Sequence, residues 1–191
     1  MLNNIFELAR KHDSIALARL ARSEEISGNS LYRNALNVAR YIADPSRYEQ
    51  RFIETFPQDM SGIMSDLYEQ IELTKRTPEF LFSFKSLGAI ARRGSRPAVS
   101  KLFGAITVAD GVVGEQLCED ANWVLTKRSR LAVESLSMLS PSKRTKVYSS
   151  CLALLEPDEK EHMKESVSSI KPSGKGEKQA IHELRRALQR K

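Results

Sequence analysis

Three apolar stripes that follow one another with very short joints constrain the fold of this chain more than any other feature of its sequence. The stripes lie between Thr77 and Leu125, and within each stripe apolar residues recur at intervals of three and four. Such spacing places side chains on one face of an α-helix. The sequence therefore predicts three consecutive helices at the centre of the chain, each with a face to bury.

The joints between these helices carry residues that end and start helices. Gly94 follows two arginines, as expected of a left-handed C-terminal cap, and Ser95 precedes Pro97, as expected of an N-terminal cap and first turn. The stripes consist of Phe80, Phe84, Leu87 and Ala91, then Ala98, Leu102, Ala105 and Ile106, then Val113, Leu117, Ala121 and Val124. Four of these residues are expected core residues: Leu87, Leu102, Ile106 and Leu117.

The rest of the chain follows the same plan. Alternating runs of β-branched residues, which would predict strands, are missing, and turns recur at the spacing of packed helical hairpins. Five of the seven prolines stand at predicted helix starts: Pro45, Pro78, Pro97, Pro141 and Pro157. Further helices are predicted on both sides of the centre, one of them between Ile63 and Thr74. We therefore assign the chain to the all-α class, with nine to eleven helices and no sheet.

One segment near the centre resembles a known helical repeat. Residues 86–106, SLGAIARRGSRPAVSKLFGAI, combine a first helix of small apolar residues, a Gly-containing turn and a Pro-Ala-Val opening of a second helix. This pattern resembles HEAT-type repeats. Leu36, Leu87 and Leu136, which are 51 and 49 residues apart, align in three such segments. The resemblance implies stacked antiparallel hairpins in a HEAT-like solenoid, and an irregular helical bundle is the alternative that the pattern leaves open.

The positive charge of the chain is concentrated at its C-terminal end. The net charge is +6, of which residues 171–191 contribute +5 and residues 1–170 only +1. Residues 171–178, KPSGKGEK, read as a linker, and residues 179–191 as a basic amphipathic helix with a narrow apolar stripe. The predicted organisation is thus a helical domain over residues 1–170, a linker, and a C-terminal helix that is dispensable for folding.

Residues that often carry catalysis or bind metals form no recognised pattern here. The histidines His12, His162 and His182 have no second histidine or cysteine at ligand spacing. Ser140 and Lys143 match S-x-x-K without its companion motifs, so helix capping by Ser140 is the better interpretation. We expect no enzyme, no metal and no cofactor. No apolar run is long enough to span a membrane.

Two cysteines bear on the compartment. Cys118 and Cys151 both fall on predicted apolar helix faces. Buried free thiols are the expectation for such positions, and they point to the cytoplasm or another reducing intracellular compartment.

Three basic clusters at predicted inter-helix turns are the main candidates for binding, because alternate turns of a regular stack line up along one edge. A simpler explanation is that cations favour helix C-termini. The candidate residues are Arg92, Arg93, Arg96 and Lys101, then Lys127, Arg128 and Arg130, then Lys143, Arg144 and Lys146, with Arg185, Arg186 and Arg190 in the tail and Trp123 as an apolar anchor.

Two functions are compatible with these features. The first is a non-enzymatic interaction, scaffold or adaptor protein that holds a protein or peptide on its helical surface. The second is a nucleic-acid-associated protein that contacts phosphates through the basic turns and the basic tail. The nearly neutral charge of residues 1–170 favours the first function, and the tail favours the second.

Overall fold

The computed structural model describes residues 1–23, 30–56, 77–109 and 111–189. Within these ranges it contains eleven α-helices, one 3₁₀ turn and no strand, which confirms the all-α prediction for this part of the chain. The helix predicted between Ile63 and Thr74 lies outside the described residues. The helices are α1 (Leu2–Arg10), α2 (Ser14–Leu20), α3 (Ser30–Ala43), α4 (Pro45–Thr55), α5 (Thr77–Arg92), α6 (Arg96–Ile106), α7 (Gly111–Lys127), α8 (Ser129–Ser137), α9 (Pro141–Cys151), α10 (Pro157–Ser168) and α11 (Lys175–Leu188), with the 3₁₀ turn at Leu152–Leu154.

Helix starts follow the local rules. All five of the prolines named above occupy the first or second position of a helix. The side chains of Asp44, Ser95 and Ser140 each accept a hydrogen bond from the backbone N–H three residues later. These contacts satisfy N–H groups that have no partner within the helix. Ser140 is therefore a helix cap, as predicted.

The chain divides into two compact units, Met1–Ser83 and Phe84–Lys191. In the first unit, α1 packs against α2 and α3, and α3 packs against α2 and α4. Its main core cluster is apolar, with Ile5, Phe6, Ala9, Leu17, Ala35, Leu36 and Ala39 buried. Three aromatic rings continue the interior of this unit: Tyr41 stacks on Phe52 at 4.5 Å, and Phe56 meets Phe52 edge-on at 5.7 Å.

In the second unit, α7 lies against α6, α8, α9 and α10. The residues of the predicted stripes from Phe84 onward form its core. Leu87, Leu102 and Leu117 are fully buried and Ile106 is 1% exposed, so the prediction for these four residues is confirmed.

The C-terminal helix α11 is part of the second unit. It begins at Lys175, within the segment that the sequence predicts as a linker, and it packs against α8, α9 and α10. Ile181, Leu184 and Leu188 are buried, and the Tyr148 hydroxyl donates to the Ala180 carbonyl at 3.1 Å. The predicted domain ends at residue 170, whereas the second unit of the structure includes α11. Polar contacts to α9, together with the narrow apolar stripe, attach this helix to the unit.

The two cysteines form a disulfide, which links α7 to the end of α9. Cys118 and Cys151 are both buried, and their Cα atoms are 4.8 Å apart. The prediction of two free thiols is wrong, because each cysteine lies on an apolar face as expected but the two faces meet. The prediction of a reducing, cytoplasmic compartment rests on free thiols and loses that support. Among the described residues, no helix is both long and apolar enough to cross a membrane.

Candidate functional site

Two of the three predicted basic clusters meet at one surface depression, which we call the basic hollow. Its volume is about 520 Å³. It contains five cationic side chains and one carboxylate, and its lining residues are Arg93, Gly94, Arg96, Lys127, Arg128, Ser129, Arg130, Leu131 and Glu134. The residues come from the α5–α6 turn and from the α7–α8 joint with the first turns of α8. Cations that are separate in the sequence are therefore neighbours in space.

The tightness of the two joints explains this convergence. Gly94 ends α5 with φ +98°, a left-handed conformation that favours glycine, and α6 starts two residues later. Only Arg128 separates α7 from α8. A Cβ atom on Gly94 would lie 3.8 Å from Cζ of Arg128, so this guanidinium lies beside the α5–α6 turn.

Glu134 organises part of the basic hollow. One of its oxygens lies 2.5 Å from Nη2 of Arg96, and the other accepts from Nε of Arg130 at 2.8 Å. Arg130 also donates to the carbonyl of Lys171 at 2.7 Å and lies 3.3 Å from the carboxylate of Glu177. Arg96 and Arg130 are thus held in place by carboxylates.

Lys127 and Arg128 differ from these two arginines. Both are exposed, and neither has a carboxylate partner among the described residues. Helices α5 and α7 end here while α6 and α8 begin, so their dipoles oppose one another and formal charge dominates the local field. The basic hollow therefore presents net positive charge to a ligand.

A second depression, the tryptophan hollow, adjoins the first. Its volume is about 360 Å³, and its lining residues are Arg92, Glu119, Asn122, Trp123, Thr126, Lys127, Leu154, Leu155, Glu159 and His162. Lys127 lines both hollows. The exposed side chain of Leu154 and the half-buried indole of Trp123 make part of this surface apolar.

Arg92 is fixed at the edge of the tryptophan hollow. Its Nε donates to the Asp120 carboxylate at 2.6 Å, and its guanidinium carbon lies 5.7 Å from the centre of the Trp123 ring. Burial raises the pKa of Asp120, and the positive charge of Arg92 opposes that rise. A Cβ atom on Gly88 would overlap the Asp120 carboxylate, so the glycine makes room for this ion pair.

Asn122 joins the tryptophan hollow to the disulfide. Its amide nitrogen donates to the carbonyl of Cys151 at 2.9 Å. Its amide oxygen is buried and has no hydrogen-bond partner among the described residues. A buried acceptor without a donor costs free energy, so this amide lowers the stability of the fold at this point.

The third basic cluster has a structural role at its centre. Arg144 is 3% exposed and binds Glu183 of α11 through two hydrogen bonds of 2.6 and 3.1 Å. It also donates to the carbonyl of Leu139 at 2.6 Å. The pair raises the pKa of Arg144 and lowers that of Glu183. Arg144 was a candidate binding residue, and the structure instead buries its guanidinium between α9 and α11.

The remaining candidates lie elsewhere on the second unit or beyond the described part of the chain. Lys143 and Lys146 are exposed on α9, and Lys101 is half-buried on α6. Arg185 and Arg186 are exposed on α11, whereas Arg190 lies outside the described residues. The five described residues of this group, Lys101, Lys143, Lys146, Arg185 and Arg186, line neither hollow.

Sequence reasoning missed several residues around these hollows. Glu134, Asn122 and Glu159 are polar helix residues with no distinguishing local pattern, and Leu154 lies in a 3₁₀ turn that was not predicted. Their importance arises only when helices from different parts of the chain meet. The described residues contain no cluster of side chains suited to a metal ion.

Comparison with known proteins adds no relative. No protein-family model, no curated protein and no solved structure matches the chain. The HEAT-like resemblance therefore stays a prediction, and the function must be argued from the two hollows.

Proposed function

We propose that the chain is a non-enzymatic binding protein whose second unit contacts the phosphate backbone of a nucleic acid. The observation that carries this proposal is the basic hollow, where the described lining residues bring together five cations, from two alternate joints and the helix starts that follow them, and one carboxylate. Arginine and lysine side chains in such a cluster match the charge and the hydrogen-bonding capacity of phosphate oxygens.

The distribution of charge between the two units supports the proposal. Residues 84–191 contain 20 Lys and Arg against 12 Asp and Glu, a net charge of +8. Residues 1–83 contain 10 Lys and Arg against 12 Asp and Glu, a net charge of −2. Within residues 1–170, residues 84–170 contribute +3, from 13 Lys and Arg against 10 Asp and Glu, and residues 1–83 contribute −2, so the near-neutrality hides two units of opposite charge. It therefore does not argue against nucleic-acid binding by the second unit.

A protein or peptide partner is the second candidate. The observation that favours it is the tryptophan hollow, where two cations and two carboxylates, from Arg92, Lys127, Glu119 and Glu159, balance each other around an apolar surface. A half-buried tryptophan in such a place is the kind of residue that anchors a partner side chain.

The test compares two double variants of equal charge change. Lys127→Gln with Arg128→Gln removes the two cations of the basic hollow that have no carboxylate partner among the described residues. Lys175→Gln with Lys178→Gln removes two exposed cations of α11, in the same unit but outside the hollow. Affinity for a labelled mixed-sequence DNA or RNA oligonucleotide is measured by fluorescence anisotropy over a series of salt concentrations.

We expect wild-type affinity to fall steeply with salt, because phosphate contacts release counterions. The variant of the hollow should bind about tenfold more weakly, with a salt slope smaller by about one to two units, whereas the α11 variant should stay close to wild type. Equal losses in both variants would mean that overall charge, and not the hollow, governs binding. If polyglutamate competes as well as the oligonucleotide, an acidic protein becomes the better assignment.

A further inference from the structure

We infer that the bound nucleic acid is single-stranded, with phosphates in the basic hollow and an unstacked base in the tryptophan hollow. This inference rests on the proposed function and names the form of nucleic acid that the two hollows together fit. The basic hollow is cationic and suits the anionic phosphate, whereas the tryptophan hollow has an aromatic surface and suits the base.

The two hollows form one continuous surface. Lys127 lines both, and the consecutive residues Arg92 and Arg93 line the tryptophan hollow and the basic hollow respectively. A nucleotide whose phosphate contacts Lys127 therefore has its base within reach of the tryptophan hollow.

The charges of the two hollows favour phosphate in the basic hollow and the base in the tryptophan hollow. Among the described residues that line the basic hollow, one carboxylate, Glu134, stands against five cations, so phosphate is attracted there. In the tryptophan hollow, Glu119 and Glu159 offset the cations, and Arg92 is already paired with Asp120. A phosphate therefore gains little in the tryptophan hollow, whereas its carboxylates do not repel an uncharged base.

The tryptophan hollow offers what a base requires. The Trp123 indole supplies an aromatic surface for stacking, which tolerates any base. The carboxylates of Glu119 and Glu159 also line the hollow and are hydrogen-bond acceptors. Base amino groups are N–H donors, so the hollow complements a base edge better than it complements another acceptor.

A duplex cannot use this arrangement. Its bases are stacked and paired inside the double helix, and removing one of them costs free energy. A single strand presents unstacked bases without that cost. The two hollows should therefore prefer single-stranded over double-stranded nucleic acid at the same salt concentration.

Trp123 makes a direct test possible because it is the only tryptophan in the chain. The full chain is titrated with an oligodeoxycytidylate of about 12 nucleotides, with a hairpin duplex of similar charge, and with inorganic polyphosphate, while tryptophan fluorescence is recorded. We expect quenching by the single strand only, and an affinity for the single strand about tenfold higher than for the duplex.

Two substitutions separate stacking from folding. Trp123→Ala should lower affinity for the single strand about tenfold and leave affinity for the duplex and for polyphosphate unchanged. Trp123→Phe keeps an aromatic ring and should recover most of that loss. Unchanged binding of polyphosphate also shows that the alanine variant is folded.

The outcomes that overturn the inference are distinct from failure of the proposed function. Equal quenching by polyphosphate, or equal affinity for single strand and duplex in both wild type and Trp123→Ala, would place no base in the tryptophan hollow while leaving phosphate binding intact. If wild type binds none of the three ligands, the proposed function itself fails and the inference fails with it.

Discussion

The α7–α8 joint and the start of α9 carry similar runs of basic residues, but their central arginines differ in burial. One carries Lys127, Arg128 and Arg130, and the other carries Lys143, Arg144 and Lys146. Arg128 is exposed beside the α5–α6 turn, whereas Arg144 is buried and bound to Glu183 of α11. The difference lies in a carboxylate 39 residues away, which no local pattern at Arg144 reveals.

This contrast shows that a run of basic residues does not by itself define a binding surface. Burying the Arg144 guanidinium removes it from water, and three hydrogen bonds to Glu183 and Leu139 offset that cost. Arg128 remains hydrated and available to a ligand. One arginine should therefore govern folding and the other should govern binding, and the following changes test that division.

The largest effect is expected from the disulfide, because it joins α7, which ends at the second basic cluster, to α9, which carries the third. Replacing Cys118 and Cys151 together by alanine should lower the free energy of unfolding by roughly 3–4 kcal/mol, given their separation of 33 residues. Urea denaturation of the variant measures this loss. Wild type with reductant is the parallel control, and a stability that neither change affects would contradict the expected linkage.

Arg144→Ala should come next, with a loss of about 2–3 kcal/mol in the free energy of unfolding. The loss is set below that of a fully buried pair because the Glu183 side chain is 25% exposed and can recover some hydration. Arg128→Ala is the matched control and should change stability by less than about 0.5 kcal/mol. If the two alanine variants lose equal stability, the contrast between the two clusters is wrong.

Gly94→Ala is expected to cost about 1–2 kcal/mol, because alanine is strained at φ +98°. The added Cβ would make only ordinary contact with Arg128, at 3.8 Å, so the expected cost comes from the backbone conformation and not from a steric clash. Gly176→Ala, within α11, is the control of opposite sign and should stabilise slightly. Thermal unfolding measures the stability of both variants. If Gly94→Ala is as stable as wild type, the turn can relax to accommodate alanine.

The smallest effect concerns pH. Hydrogen bonds from Arg144 lower the pKa of Glu183, so the folded state favours the carboxylate. This contribution to stability is present above the ordinary pKa of 4.5 and is lost as the pH falls through the lower folded value. The difference in unfolding free energy between wild type and Glu183→Gln should therefore shrink on acidification to about pH 3.

The pKa of Asp120 is shifted in the opposite direction to that of Glu183, so its effect on stability has the opposite pH dependence. Burial raises its pKa, so its ionisation favours the unfolded state as the pH rises above the ordinary value of 3.8. The advantage of Asp120→Asn over wild type should accordingly grow with rising pH across that range. A pH-independent difference in both variants would mean that neither carboxyl has a perturbed pKa.

Local features of the fold could be predicted from sequence because their causes are local. Helix starts at Pro45, Ser95 and Ser140 depend on side chains within a few residues, and the buried stripes depend on helical spacing. The disulfide and the pair of Arg144 with Glu183 could not be predicted, because each joins residues more than thirty positions apart. The packing of α11 was missed for the same reason.

The candidate site was predictable to a similar extent. The sequence identified the cations of the basic hollow and the tryptophan of the tryptophan hollow. Clusters of charged residues and a single tryptophan can be recognised from the order of residues alone. The sequence did not identify Asn122 or Glu134, and it ranked Arg144 with Arg128. Which cations share a surface depends on how α5, α6, α7 and α8 meet, and that is a property of packing.

The Asp120 carboxylate occupies the position that a Cβ atom at residue 88 would take, and this has an evolutionary consequence. Since a Cβ atom at the glycine would overlap the carboxylate, these two positions in α5 and α7 are not free to diverge separately. Any descendant with a larger residue at position 88 should carry a smaller one at position 120, and its arginine at position 92 would then lose its partner. Covariation of the three positions among homologous chains would record this constraint. A double variant, Gly88→Ala with Asp120→Ala, that is more stable than Gly88→Ala alone would reproduce it in the laboratory.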